Sequence, residues 1–195
     1  MAKKVIKAKL NQKKAKSAKE AELDIIDLIM NDHKPLKELI ETMKDEEAEY
    51  EEKKAAFDQF GPLLKAHAYP EEQTWYVAMK EDDDMIVEGL EGDVEHGLAD
   101  QLCEELKREE DEDMFMAKVK VLAELVEHHI EEEEEDMLPD YRENSTAEER
   151  MELAAQYLQF QEEIEERGSE DAPKEASPKA RKADRRLQGE ERRRH

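Results

Sequence analysis

Residues 112–138, EDMFMAKVKVLAELVEHHIEEEEEDML, decide the fold of this chain. Leu122, Leu125, Val126, His129, Glu133 and Met137 recur there at steps of three and four, which is one face of an α-helix. The surrounding Ala, Leu, Lys, Glu and Met are strong helix formers, and Pro139 closes the segment, so a helix over about Glu112–Leu138 is expected. Its apolar stripe carries two polar residues one turn apart, His129 and Glu133. A carboxylate on a buried stripe is costly unless a cation or a strong partner compensates it. His129 has apolar residues three, four and seven positions before it and is assigned inward; His128 has Glu124 four before it and is assigned to the rim. Of the acidic run Glu131 to Glu135, only Glu133 is one turn from His129, and the rest reads as a solvated face.

The same spacing recurs upstream. A helix over about Ala48–Met79 aligns Phe60, Leu64, His67, Glu71 and Trp75, with Gly61-Pro62 a candidate break and Pro70 expected to bend the helix between His67 and Glu71. A first helix, about Glu22–Glu47, aligns Ile29, His33, Leu36, Ile40 and Met43; Asn31–Asp32 is a candidate interruption, with Asp32 capping the turn that admits Pro35. A third helix, about Asp84–Lys107, is weakened by Gly89, Gly92 and Gly97. Leu90, Val94, Leu98 and Leu102 form a stripe on it, while His96 shares a different face with Met85, Gly92, Ala99 and Cys103. Ser145-Thr146 followed by Glu148-Glu149 reads as a capping box opening a fifth helix to about Phe160, without metal-ligand candidates and outside the bundle.

Aromatics and β-branched runs are scarce, so the expected class is all-α: an up-and-down four-helix bundle with an additional C-terminal helix and flexible charged tails. The expected division is a basic flexible arm at 1–20, a helical bundle at 21–163 and a disordered charged tail at 164–195. Eight Lys against one Glu in 1–20, and nine Lys/Arg against six Asp/Glu in 168–195, leave −34 of the total charge of −24 in residues 21–167. Such a body repels nucleic acid, and any contact of that kind is left to the tails. The single cysteine, Cys103, allows no intramolecular disulfide and no thiolate-rich zinc site, and a reducing cytoplasm is the expected location. No apolar run approaches the length that spans a bilayer, so no membrane partner is expected.

The four histidines His33, His67, His96 and His129 fall in four separable helices, two of them with a carboxylate one turn on. One histidine on an apolar stripe is ordinarily a hydrogen-bonded core residue. Four together, converging in one bundle with Glu71 and Glu133, give a mixed nitrogen and oxygen set suited to non-haem iron. Glu72 and Glu134 are placed outside that set or in solvent. The acidic clusters Glu81–Asp84 and Glu109–Asp113 lack the spaced ligands and glycine turn of an EF-hand. No phosphate-binding glycine loop and no nucleophile with a base partner stands out, and the methionines read as core filler.

The ordered pieces resemble the hemerythrin-like, or HHE cation-binding, family: Asp24 to Asp32-His33, His67-Ala-Tyr-Pro-Glu71-Glu72, Glu95-His96, and His129-Ile-Glu-Glu-Glu133 leading to Met137-Leu-Pro139, over about residues 22–140. The resemblance implies two non-haem irons bridged by Glu71 and Glu133, with His33, His67, His96 and His129 as terminal ligands. Oxygen-carrying members pair two histidines one turn apart on the third helix, whereas the positions one turn from His96 here are Gly92 and Asp100. Asp100 or water would then complete the set. Members linked to iron–sulfur repair carry an extra histidine where residues 34–66 have none.

The expected function is a di-iron protein that binds, senses or reacts with dioxygen, nitric oxide or peroxide at an open iron position, and is a binding protein more than an enzyme. The alternatives are an iron-handling or stress-response protein with peroxidase-like activity, and a metal-free structural bundle that interacts through its tails.

Overall fold

The computed structural model describes residues 23–167, and the basic arm, His195 and the tail from 168 onward lie outside them. The described residues form α1 (Ile25–Lys44), α2 (Tyr50–Gln73), α3 (Trp75–Met79), α4 (Ile86–Leu106), α5 (Glu112–Glu132), α6 (Leu138–Asn144) and α7 (Ala147–Arg167). No strand occurs among them. Helices α1, α2, α4 and α5 pack as the expected four-helix bundle, and α7 lies against α1 and α2. The last turn of α7 takes up residues 164–167, which the sequence division gave to the tail; Ile164 there is buried.

Local chemistry sets the ends of these helices. The Asp24 carboxylate accepts from Ile26 N at 3.0 Å and caps α1. At the other end of α1, the buried Lys53 donates from Nζ to the Met43 carbonyl at 2.9 Å, a cation on unpaired C-terminal carbonyls. Thr146 opens α7 as a capping box, its Oγ1 accepting from Glu149 N and its own N–H donating to Glu149 Oε2 at 2.8 Å.

Three expected interruptions do not occur. Helix α1 runs through Asn31, Asp32 and Pro35, because Asp32 caps nothing and instead accepts from the Tyr157 hydroxyl at 2.7 Å and Gln161 Nε2 at 2.5 Å on α7. Helix α2 runs through Gly61-Pro62 and Pro70; the break falls after both, at Thr74, whose φ of −124° and ψ of −83° end the helix while its Oγ1 donates to the Pro70 carbonyl at 2.6 Å. That carbonyl bond anchors the turn four residues after the proline that weakened the ladder. Nor does Pro139 stop the fourth bundle helix: α5 passes into a π-helical turn at Glu133–Met137 and then into α6, where Pro139 occupies the first turn that tolerates it.

Two apolar clusters fill the bundle. One holds Leu36, Ile40, Met43, Phe57, Phe60, Leu64, Phe115, Leu122 and Val126; the other holds Ile25, Ile26, Ile29, Trp75, Tyr76, Met79, Met85, Leu138, Tyr141 and Tyr157. In each bundle helix a buried histidine sits at the boundary between them, which seals a polar layer from water on two sides.

Candidate metal centre

The four histidines and two glutamates singled out above converge in that layer, one histidine from each bundle helix, and all six are buried. His33, His67, Glu71 and Glu133 each place a donor atom within 4.8 Å of the others. The second pair, His96 and His129, brings its Nε2 atoms to 3.0 Å of each other. The carboxylates stand between the pairs. Glu133 Oε2 is 3.1 Å from His33 Nε2, and its Oε1 is 3.4 Å from His129 Nε2. Glu71 Oε2 is 3.2 Å from His67 Nε2 and 3.7 Å from His96 Nε2. The π-helical turn makes room for this, since Glu133 and Glu134, adjacent in sequence, both reach the His33 ring.

Every imidazole turns the same edge inward. His33 Nδ1 meets Glu134 Oε1 at 2.9 Å, His96 Nδ1 meets Glu72 Oε1 at 3.2 Å, and His129 Nδ1 meets Glu95 Oε2 at 2.6 Å. For His67 the outer partner is the Tyr157 hydroxyl at 3.5 Å, which donates to Asp32. An acceptor on Nδ1 turns Nε2 inward and raises its basicity, the arrangement typical of metal-bound histidine. Glu72 and Glu134 therefore lie outside the inner set, as expected, while Glu95, Asp32 and Tyr157 of α7 were not recognised in that role. The first two directly precede a histidine in sequence, which was the available signal.

Electrically the layer is incomplete. His67 Nε2 and both oxygens of Glu71 are buried without any hydrogen-bond partner. Burial, reinforced by His33, holds His67 well below the ordinary imidazole range, so its lone pair is free at neutral pH. Burial, with Glu133 nearby, pushes the Glu71 carboxyl well up. Burial also opposes charge on His129 and Glu133, but their mutual attraction outweighs it, lifting His129 to about 10 and lowering Glu133 well below the carboxylate range. Leaving an ionisable group buried without a hydrogen-bond partner costs several kcal/mol, a penalty that an inner cation would offset. The donor set of four imidazoles and two carboxylates, without thiolate, fits a first-row divalent metal such as iron.

One functional side chain escaped the sequence. Tyr76, fully buried, donates from its hydroxyl to Glu133 Oε1 at 2.5 Å and lies 3.1 Å from His129 Nε2 and 3.4 Å from His96 Nε2. In an unbroken helix, position 76 would be rotated about 140° from Glu71, away from the site. The break at Thr74 turns it in. Its ring fills the space beside Gly92, where a Cβ would come within 2.6 Å of the Tyr76 Cζ. Gly92 is one turn from His96, and the phenol occupies the space that a side chain at that position would take. Asp100, the other candidate to complete the set, is exposed and lines the cavity that leads to His96 and His129. Burial and then Glu133 push the Tyr76 hydroxyl well above its ordinary value, so it keeps its proton.

A cavity of about 400 Å³ between α2, α4 and α5 reaches His96 and His129 past Leu64, Ala68, Ala99 and Val126. His128 points away, exposed and paired with Glu132, as assigned.

The family model described as the hemerythrin HHE cation binding domain matches residues 24–141. No curated protein and no solved structure matches the chain.

Proposed function

The chain belongs to the hemerythrin HHE cation-binding domain family, and from that premise we propose that its buried layer holds two non-haem irons and binds, senses or reacts with dioxygen, nitric oxide or peroxide. His33 and His67 would hold one iron and His96 and His129 the other, with Glu71 and Glu133 shared between them. The observation that carries this reading is that His67 Nε2 and both Glu71 oxygens are buried without a hydrogen-bond partner, in a layer where His33, His96 and Glu133 also bring donor atoms close. Bound iron would supply redox chemistry and an open coordination position for a small ligand.

The chain's own residues supply the rest. Glu134, Glu72, Glu95 and Tyr157 hold the four rings by Nδ1 with Nε2 inward, so the donors are oriented before any ion arrives. The two apolar clusters exclude bulk water. Tyr76 carries a hydroxyl proton at the inner edge of the His96 and His129 pair, where it can be donated to a polar ligand. The cavity gives a small ligand a path to that side.

The direct test is elemental analysis of protein loaded anaerobically with ferrous iron. The expected result is close to two irons per chain, with a reduced content in His129→Ala. A chain that retains no metal would leave a structural bundle as the better account.

A further inference from the structure

Helix α4 is apolar on two faces. Its inner face, with Gly89, Gly92, His96, Ala99, Cys103 and Leu106, is buried in the bundle. Its outer face carries Val87, Leu90, Val94 and Leu98, exposed at 66, 49, 60 and 49%. These four residues follow one another at steps of three, four and four, which is a single continuous stripe. Scattered exposed apolar residues need no explanation, but a continuous stripe over three turns of a helix marks a surface that another element covers.

Charge identifies the occupant. From Glu81 to Leu106 the chain holds eleven Asp and Glu and no Lys or Arg. A second copy of this face would meet the stripe with the same charge, so the covering element is cationic. Residues 1–22 contain eight Lys against two Glu, with Val5, Ile6 and Leu10 among them. The C-terminal residues 168–195 balance nine cations with six anions and offer a single Leu, and α7, from which they leave, lies mainly against α1 and α2. The N-terminal segment also starts in the right place. Leu23 packs against the cluster that contains Met79 and Met85, and Met85 immediately precedes α4. Helix α4 is about 31 Å long, and 22 residues span about 33 Å even if fully helical.

We propose that the basic N-terminal segment, residues 1–22, packs along the exposed stripe of α4 in the same chain. Val5, Ile6 and Leu10 cover the valines and leucines, and the lysines sit over the flanking carboxylates. An amphipathic segment laid on an apolar face with complementary charge is a common mode of helix recognition.

The test is photo-crosslinking in the full chain with p-benzoylphenylalanine in place of Leu10. The expected product is a monomer whose crosslink maps to the peptide containing Val87 to Leu98. Its yield should fall by roughly a factor of five at 1 M salt, where the Debye length is about 3 Å. The same loss is expected when Leu90, Val94 and Leu98 are replaced together by Ser, outward changes that leave the buried face untouched. Crosslinks spread over other faces, crosslinks only between chains, or a yield indifferent to those substitutions would each overturn the proposal. Because the readout involves no metal, it stands or fails independently of the iron assignment.

Discussion

At the scale of single residues, the site turns on Tyr76 and the glycine beside it. Tyr76→Phe removes the hydroxyl that meets Glu133, His129 and His96 but keeps the ring that fills the Gly92 hollow. Iron content should stay at the wild-type value. If the hydroxyl delivers a proton, oxidation of the ferrous protein by peroxide should slow by roughly a hundred-fold in stopped-flow absorbance, the usual worth of a positioned acid. Equal rates would reduce Tyr76 to a packing residue. Gly92 and Gly97 provide a matched comparison on one helix. A Cβ at Gly92 collides with Tyr76, whereas one at Gly97 meets nothing within 4 Å. Gly97→Ala should therefore stabilise the fold by about 0.5–1 kcal/mol through helix propensity. Gly92→Ala should destabilise it, since overpacking at about 1–3 kcal/mol exceeds that gain. Urea unfolding of the two variants separates them by the sign of the change.

At the scale of elements, helix type and facing were legible because the 3.6-residue period is local. The stripe Ile29, His33, Leu36, Ile40 and Met43 is buried as read, and so are Phe60, Leu64, His67, Glu71 and Trp75. Helix interruptions were not legible. Pro35, Pro62 and Pro70 each remove one backbone bond, yet tertiary packing carries α1 and α2 through them, and the real break at Thr74 depends on a side-chain bond to the Pro70 carbonyl. Tyr76 was missed for that reason, and Asp32 was given a capping role because its partners lie 125 and 129 residues away. The π-helical turn was equally hidden in an acidic run. It inserts one residue of register between Glu133 and α6. Deleting the exposed Glu135 should close the wide turn into an ordinary α-helical one and leave Leu138 and Tyr141 facing their cluster. Helical content by circular dichroism should persist while iron content falls, because Glu133 and Glu134 would no longer both reach the His33 ring. Unchanged iron content would mean that the turn does not set the site.

At the scale of the whole molecule, the layer of ionisable groups divides what would otherwise be one continuous apolar core. Five of the six inner residues were legible in the sequence because each lies on an apolar stripe where its type is anomalous, whereas His96 lies off the stripe of its helix and was grouped with them as the fourth histidine. Their outer partners were only partly so, since Tyr157 and Glu95 join the layer through contacts between helices distant in sequence. A ligand that binds only the folded state stabilises it by mass action, about 2.7 kcal/mol at a free concentration a hundred times Kd. Chelator-stripped protein should accordingly melt several degrees below the iron-loaded form in scanning calorimetry. Coincident melting curves would argue that the layer binds nothing of consequence.

The contribution of one histidine by each of the four bundle helices has a kinetic side. No local fragment of the chain contains more than one of the six donors except as the His67/Glu71 and His129/Glu133 pairs, so the inner set exists only while all four helices are docked. An ion held there leaves when one helix swings away, and its residence time becomes a clock for the least stable helix contact in the bundle. Helix α4, whose inner face is built from two glycines, an alanine, a cysteine and one leucine around His96, has the smallest side chains holding it in place and is the member most apt to set that rate.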